Sequence, residues 1–103
     1  MTDAANETKT PSKTKTSFYR RLYVAYLIDS GVNTVPKITE KSNMPRRTAQ
    51  DTITNLKELD IQCEFVGGTK NGTYVINNWG PISKQWVEEN RFHIAETLQY
   101  PID

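Results

Sequence analysis

The chain has 103 residues and a net charge of +1. This length suits one domain, and the small charge excludes a strong overall cationic field that would attract nucleic acid regardless of sequence. The single cysteine excludes an intramolecular disulfide or a cysteine-rich metal site. No apolar run is long enough for a membrane span, and no signal peptide is visible, so we expect a cytoplasmic protein.

The first sixteen residues are polar and rich in threonine, lysine and serine. Such a segment cannot bury enough apolar surface to order itself, so we predict a disordered tail over 1–16 and a folded domain over 17–103. Lys9, Lys13 and Lys15 could touch phosphates, although a solvated tail is the simpler interpretation. The basic residues otherwise favour the first half of the domain, because residues 17–60 hold seven Lys or Arg against five acids.

The first predicted helix begins with Ser17 as its N-cap and ends near Ser30, with Gly31 just beyond. Its apolar residues recur at helical spacing and surround much of the helix, so we expect it to be covered on more than one side. Those residues are Phe18, Leu22, Ala25, Tyr26 and Leu27. A short strand over 33–35 is predicted to follow.

Two further helices are predicted over 36–41 and 46–59, with a turn between them. Pro36 suits the first turn of a helix, and Pro45 limits how far helical geometry extends back from the second one. In the 46–59 helix, Ala49, Ile53 and Leu56 form the buried stripe. The opposite, solvent-facing stripe consists of Arg47, Gln50, Asp51, Thr54 and Glu58.

A β-hairpin is predicted next, because Ile61, Cys63 and Phe65 alternate with polar residues and a second β-run supplies Tyr74 and Ile76. The connection allows two interpretations. Asn71-Gly72 alone would make a tight two-residue turn, whereas 67–72 would make a six-residue loop. Both registers place the same residues on the inner face, so the alternation does not decide between them.

The last predicted helix spans 82–98, with one apolar stripe and with Phe92 away from that stripe. The stripe consists of Ile82, Trp86, Val87, Ile94 and Leu98. Two apolar faces suggest that one packs on the first helix and that the other forms a homodimer. The alternative is that both faces belong to the core of a monomer.

The order helix, turn, helix, hairpin over 34–77 resembles the winged helix-turn-helix superfamily. The segment Pro45–Gln50, followed by Ile53, Leu56 and Leu59, looks like the recognition helix of many bacterial regulators. Residues 78–82 (Asn-Trp-Gly-Pro-Ile) add a likeness to a poorly characterised prokaryotic family of winged-helix DNA-binding proteins. The implied fold class is α+β, mainly α, with a three-helix core, a hairpin wing and an additional C-terminal helix. Asp60 stands where a glycine usually follows the recognition helix.

The resemblance implies a small transcriptional regulator whose partner is double-stranded DNA, with the 46–59 helix in the major groove. The implied base-reading residues are Arg47, Gln50, Asp51 and Thr54, whose side chains suit hydrogen bonds or methyl contacts to base edges. The implied phosphate contacts are Arg46, Thr48 and Lys57. Lys70 and Asn71 in the hairpin loop could meet the backbone or the minor groove.

The alternative function is a winged helix that binds another protein and not DNA. The near-neutral net charge favours it, as do Asp51 and Glu58, because carboxylates repel phosphate. We predict no enzymatic activity, no cofactor and no metal, since no phosphate-binding loop or catalytic triad spacing is present. Cys63 is interpreted as a buried inert thiol, and His93 as a surface histidine beside acids and not as a metal ligand.

Overall fold

A computed structural model describes residues 10–101 of the chain. The helices are α1 (Lys13–Asp29), α2 (Val35–Ser42), α3 (Arg46–Thr54), α4 (Lys84–Glu89) and α5 (Arg91–Leu98), and a 3₁₀ turn (Asn55–Leu59) continues α3. The strands β1 (Gln62–Val66) and β2 (Thr73–Asn78) form an antiparallel hairpin, the wing. The predicted class, α+β and mainly α with a hairpin wing and further C-terminal helix, is confirmed.

Helix α1 begins earlier than predicted. The Ser12 side chain is the N-cap and accepts a hydrogen bond from the Lys15 N–H at 3.0 Å, so the prediction of Ser17 as N-cap is wrong. The first helical turn has no apolar residue, and hydrophobic periodicity could not reveal it. Residues 13–16 of the predicted tail are therefore helical, and residues 1–9 lie outside the described range.

Helix α1 is the central element of the fold, and every other helix and strand β2 pack against it. Seven of its residues are buried, which confirms that it is covered on more than one side. It ends as predicted near Ser30. The N–H of Gly31 bonds the Ile28 carbonyl and that of Val32 bonds the Leu27 carbonyl, an arrangement that needs the positive φ of 110° at Gly31.

The segment predicted as a strand over 33–35 instead leads into α2. The Thr34 hydroxyl caps α2 by accepting the Lys37 N–H at 3.2 Å, and this cap sets the helix start at Val35. One strand-like contact remains, because the Asn33 carbonyl accepts the Tyr74 N–H at 2.8 Å. This hydrogen bond ties β2 to the helical body.

The turn between α2 and α3 is held by hydrogen bonds of a buried side chain. The buried Ser42 hydroxyl donates to the Ile38 carbonyl at 2.7 Å and accepts the Met44 N–H at 3.1 Å. Asn43 takes the left-handed conformation with φ 66°, and Met44 is buried in the core. Its burial was not predicted, since Met44 lies in a turn and not on an apolar stripe.

Helix α3 is shorter than predicted. It keeps α-helical geometry only to Thr54, and residues 55–59 tighten into the 3₁₀ turn. The predicted stripe of Ala49, Ile53 and Leu56 is buried in the core. Asp60 ends the segment with φ 60°, the left-handed conformation that a glycine would adopt more easily.

The wing has the longer of the two predicted loops. Val66 pairs with Thr73, which leaves the six residues 67–72 as the connection. Cys63 is only half-buried and Phe65 is 47% exposed, so the predicted inner face is only partly covered. The Phe65 ring packs edge-on against Tyr74 with centroids 5.0 Å apart.

The predicted single helix over 82–98 is two helices, α4 and α5, which meet at Asn90. Asn90 leaves helical geometry with φ −110° and ψ 17°, and its side-chain amide donates to the Trp86 carbonyl at 2.8 Å. Val87 and Ile94 are buried as predicted. Trp86 belongs to the predicted apolar stripe but is 43% exposed: of the adjacent pair, Val87 faces the core.

Candidate nucleic-acid interface

Helix α3 rests on the core by one side and presents the other to solvent. Ala49, Thr52 and Ile53 are buried beneath it. The exposed residues are Arg46, Arg47, Gln50, Asp51 and Thr54, and Thr48 is half-buried. Side chains of the types that bind base edges and phosphates therefore share the outer surface of one helix.

The start of α3 is unfavourable for the stability of the helix itself. Pro45 is the N-cap and supplies no side-chain hydrogen bond, so the free N–H groups of the first turn have no such cap. Arg46 and Arg47 add positive charge at the positive end of the helix dipole, which costs a few tenths to about 1 kcal/mol each. The arrangement suits an external anion, which both the arginines and the free N–H groups attract.

Asp51 lies on the side of α3 that faces α1. A cleft of about 250 Å³ separates the two helices there. Its lining residues are Ser17, Arg20 and Arg21 from α1 with Thr48, Asp51, Thr52 and Asn55 opposite. Arg20 and Arg21 were not predicted as site residues, and the only signal in the sequence was a pair of adjacent arginines in a helix otherwise rich in apolar and aromatic residues.

Lys57 lies apart from the arginines of α3. It lines a second cleft of about 380 Å³ at the base of the wing, together with the carboxylates of Asp60 and Glu64. Cys63 lines the same cleft, and burial raises the pKa of its thiol above the usual 9.0, so the thiol stays protonated at neutral pH. The two carboxylates reduce the positive potential that Lys57 can offer to a phosphate.

The remaining predicted contacts lie in the wing loop. Lys70 and Asn71 are exposed within 67–72. Apolar side chains of the hairpin are exposed as well, with Phe65, Val66 and Val75 at 47%, 48% and 37%. The wing therefore offers one cation and a small apolar surface.

No metal site emerges from the described part of the chain. Residues 10–101 contain no group of three or more His, Cys, Asp or Glu side chains that could hold an ion. His93 instead packs edge-on against Tyr19, with ring centroids 5.8 Å apart. No helix among these residues is long and apolar enough to cross a membrane.

A family model described as "Winged helix-turn helix" matches residues 13–98. The chain belongs to the winged helix-turn-helix family. Among solved structures, this winged helix-turn-helix chain is similar to a DUF2131 family protein from Shewanella amazonensis SB2B, whose crystal structure has a resolution of 2.50 Å. The two share 33% identity over 87% of this chain and 90% of that one, with a TM-score of 0.81. No curated protein matches the chain significantly.

Membership of the winged helix-turn-helix family suggests DNA binding in general. In this chain α3 is the second helix of the helix-turn-helix motif, and the hairpin is the wing.

Proposed function

We propose that the protein is a small transcriptional regulator that reads a short DNA sequence with α3 in the major groove. The main support for this proposal is that Arg46 and Arg47 are both exposed at the start of α3, where no side chain caps the helix. Two cations there oppose the helix dipole, so they reduce the stability of the free protein and become favourable when a polyanion binds.

Roles follow from position and chemistry. Arg47 and Gln50 occupy the exposed side of the N-terminal turns, from which recognition helices usually reach base edges. Arg can bond guanine bidentately, Gln can bond adenine, and the Thr54 methyl can contact thymine. Arg46 and Thr48 are proposed phosphate contacts, and Lys57, Lys70 and Asn71 weaker ones.

A second copy of the chain is the proposed partner of the C-terminal helices. Trp86 and Phe92 are 43% and 53% exposed on α4 and α5, and the Arg91 guanidinium lies 4.7 Å from the centroid of the Phe92 ring. Aromatic residues and arginine are both enriched at protein interfaces.

The competing function, a protein-binding winged helix without DNA binding, is favoured by a different surface. Phe65, Val66 and Val75 expose apolar area on the wing. If that surface is the functional one, the partner is a protein with an apolar patch and α3 remains solvated.

Amide chemical-shift mapping with a random duplex at low and moderate salt tests the proposal. We expect shifts in 46–54 and 67–72 that weaken as salt rises, with a shallow dependence because few phosphates are contacted. If the shifts lie only outside those two segments, or if no shifts occur at low salt, the protein-binding function is favoured instead.

A further inference from the structure

The side of α1 that faces α3 carries a basic stripe. Lys13, Ser17, Arg20 and Arg21 follow the i, i+4, i+7, i+8 spacing that places residues on one face of a helix. Ser17 and Arg21 line both the cleft of about 250 Å³ against α3 and a neighbouring cleft of about 490 Å³ that includes Lys13 and Leu59. Arg21 therefore lies where the two clefts meet.

The charges in this region favour an anion. The two clefts are lined by the cations Lys13, Arg20 and Arg21 and by one carboxylate, that of Asp51. Arg20 has a long hydrogen bond from its Nε to the Tyr100 hydroxyl at 3.4 Å. Within residues 10–101, no hydrogen bond or ion pair engages the guanidinium of Arg21.

The cleft between α1 and α3 has the size and the polar groups that a phosphate needs. The cleft is open to solvent on one side and has a volume of about 250 Å³, so a phosphate group can enter. The hydroxyls of Ser17 and Thr48 can donate to phosphate oxygens from the two walls. An arginine can donate two parallel hydrogen bonds to the same group.

We infer that the cleft between α1 and α3 binds a phosphodiester group of duplex DNA, with Arg21, Ser17 and Thr48 as the contacts. The inference rests on the proposed function, because α3 in the major groove brings the adjoining DNA strand beside the cleft. It also changes the role of Asp51. Its carboxylate limits the positive charge of the phosphate site and does not read a base.

Matched charge-removing variants test the phosphate contact. Arg21→Gln should lower the affinity for every duplex by a similar factor and make the slope of log K against log salt shallower by about 0.9. Lys84→Gln removes the same charge and is the control. Lys84 pairs with Asp29 at 2.8 Å, eight residues or about 12 Å along α1 from Arg21. Equal effects of the two variants on the slope would overturn the inference.

Two further variants separate binding from folding and from base reading. Arg21→Lys keeps the charge and should restore most of the salt slope, which a merely structural defect would not allow. Asp51→Asn should raise the affinity for all duplexes alike, because a repulsive carboxylate leaves the phosphate site. A loss of discrimination at a single base pair in Asp51→Asn would assign Asp51 to base reading and contradict the inference.

Free inorganic phosphate could occupy the same cleft as a DNA phosphodiester. Titrations with each ligand at constant ionic strength distinguish them. Duplex DNA should shift the amides of 17–21 and Thr48 in the wild type, whereas inorganic phosphate at the same phosphate concentration should leave them unchanged. Shifts with inorganic phosphate alone would overturn the DNA assignment. If the wild type binds no duplex, the proposed function itself is overturned. If the wild type binds duplex and Arg21→Gln binds it equally well, only this inference is overturned.

Discussion

Gly80, just after the wing, lies against the main chain of Asp60, just after the 3₁₀ turn. A Cβ on Gly80 would come within 2.9 Å of the Asp60 carbonyl carbon and closer still to its oxygen. Both residues have φ of 60°. The Gly80 N–H donates to the side-chain oxygen of Asn78 at 2.6 Å, which fixes the turn. The residue after the 3₁₀ turn and the glycine after the wing thus lie main chain against main chain.

Gly80→Ala should destabilise the fold by more than about 1–2 kcal/mol, since the left-handed backbone alone costs that much for alanine and the clash adds to it. Two other glycines provide controls in urea unfolding. Gly31→Ala has the strained φ of 110° without a clash, so its loss measures the cost of backbone strain alone. Gly68→Ala meets nothing within 4 Å and should be near neutral. Equal losses at all three positions would show that the contact with Asp60 is unimportant.

Leu56→Ala should reduce the free energy of unfolding by about 2–5 kcal/mol, because Leu56 is fully buried and its truncation leaves a cavity. Glu58→Ala in the same 3₁₀ turn is the control. Its side chain is exposed, and we expect a change within about 0.5 kcal/mol. Chemical denaturation of both variants measures the difference, and a Leu56→Ala value near that of the control would place the turn outside the core.

The parts of the fold predicted correctly from sequence are those with a repeating apolar signal. The stripe Ala49, Ile53 and Leu56 and the β-alternation of the wing identified the helix and the hairpin. The predictions were wrong where a hydrogen bond from a polar side chain determines where a helix begins or ends. Ser12 starts α1 and Asn90 divides the last helix by local hydrogen bonds that produce no apolar period.

The candidate interface was predictable only where it lies on one element. Helical spacing sufficed to place Arg47 and Gln50 opposite the buried stripe. The proximity of Arg21 to Asp51 arises from the packing of α1 on α3, thirty positions apart in the chain, and no local pattern contains it. Similarly, Asp60 is a near neighbour of Lys57 in the sequence, but Glu64 joins the same cleft only because the wing folds beside the 3₁₀ turn.

Arg47→Ala should weaken binding to a cognate site by about 1–3 kcal/mol and relax discrimination at one base pair. Lys57→Ala removes an equal charge beside Asp60 and Glu64, so it should weaken all sequences slightly and alike. Competition binding against a panel of single-base substitutions measures both effects. A uniform loss across the panel for Arg47→Ala would make Arg47 a phosphate contact.

Phe92→Asp should convert a dimer into monomers in sedimentation velocity, because the charge cannot be buried in an apolar interface without a partner. Thr69→Asp adds the same charge in the exposed wing loop and should leave the sedimentation coefficient unchanged. A wild type that is already monomeric at high concentration rules out the homodimer.

Under the proposed function, the change from α-helical to 3₁₀ geometry after Thr54 limits how many base pairs one copy of the chain could read. Nine residues at 1.5 Å each make α3 about 13 Å long, which corresponds to about four base pairs at 3.4 Å. Each position can hold four distinguishable base pairs, so a given four-base-pair sequence occurs by chance about once in every 250 positions of DNA. A genome would contain thousands of these sites. Greater specificity would then require two copies of the chain bound to adjacent half-sites. The combined site would occur by chance about once in 60,000 positions.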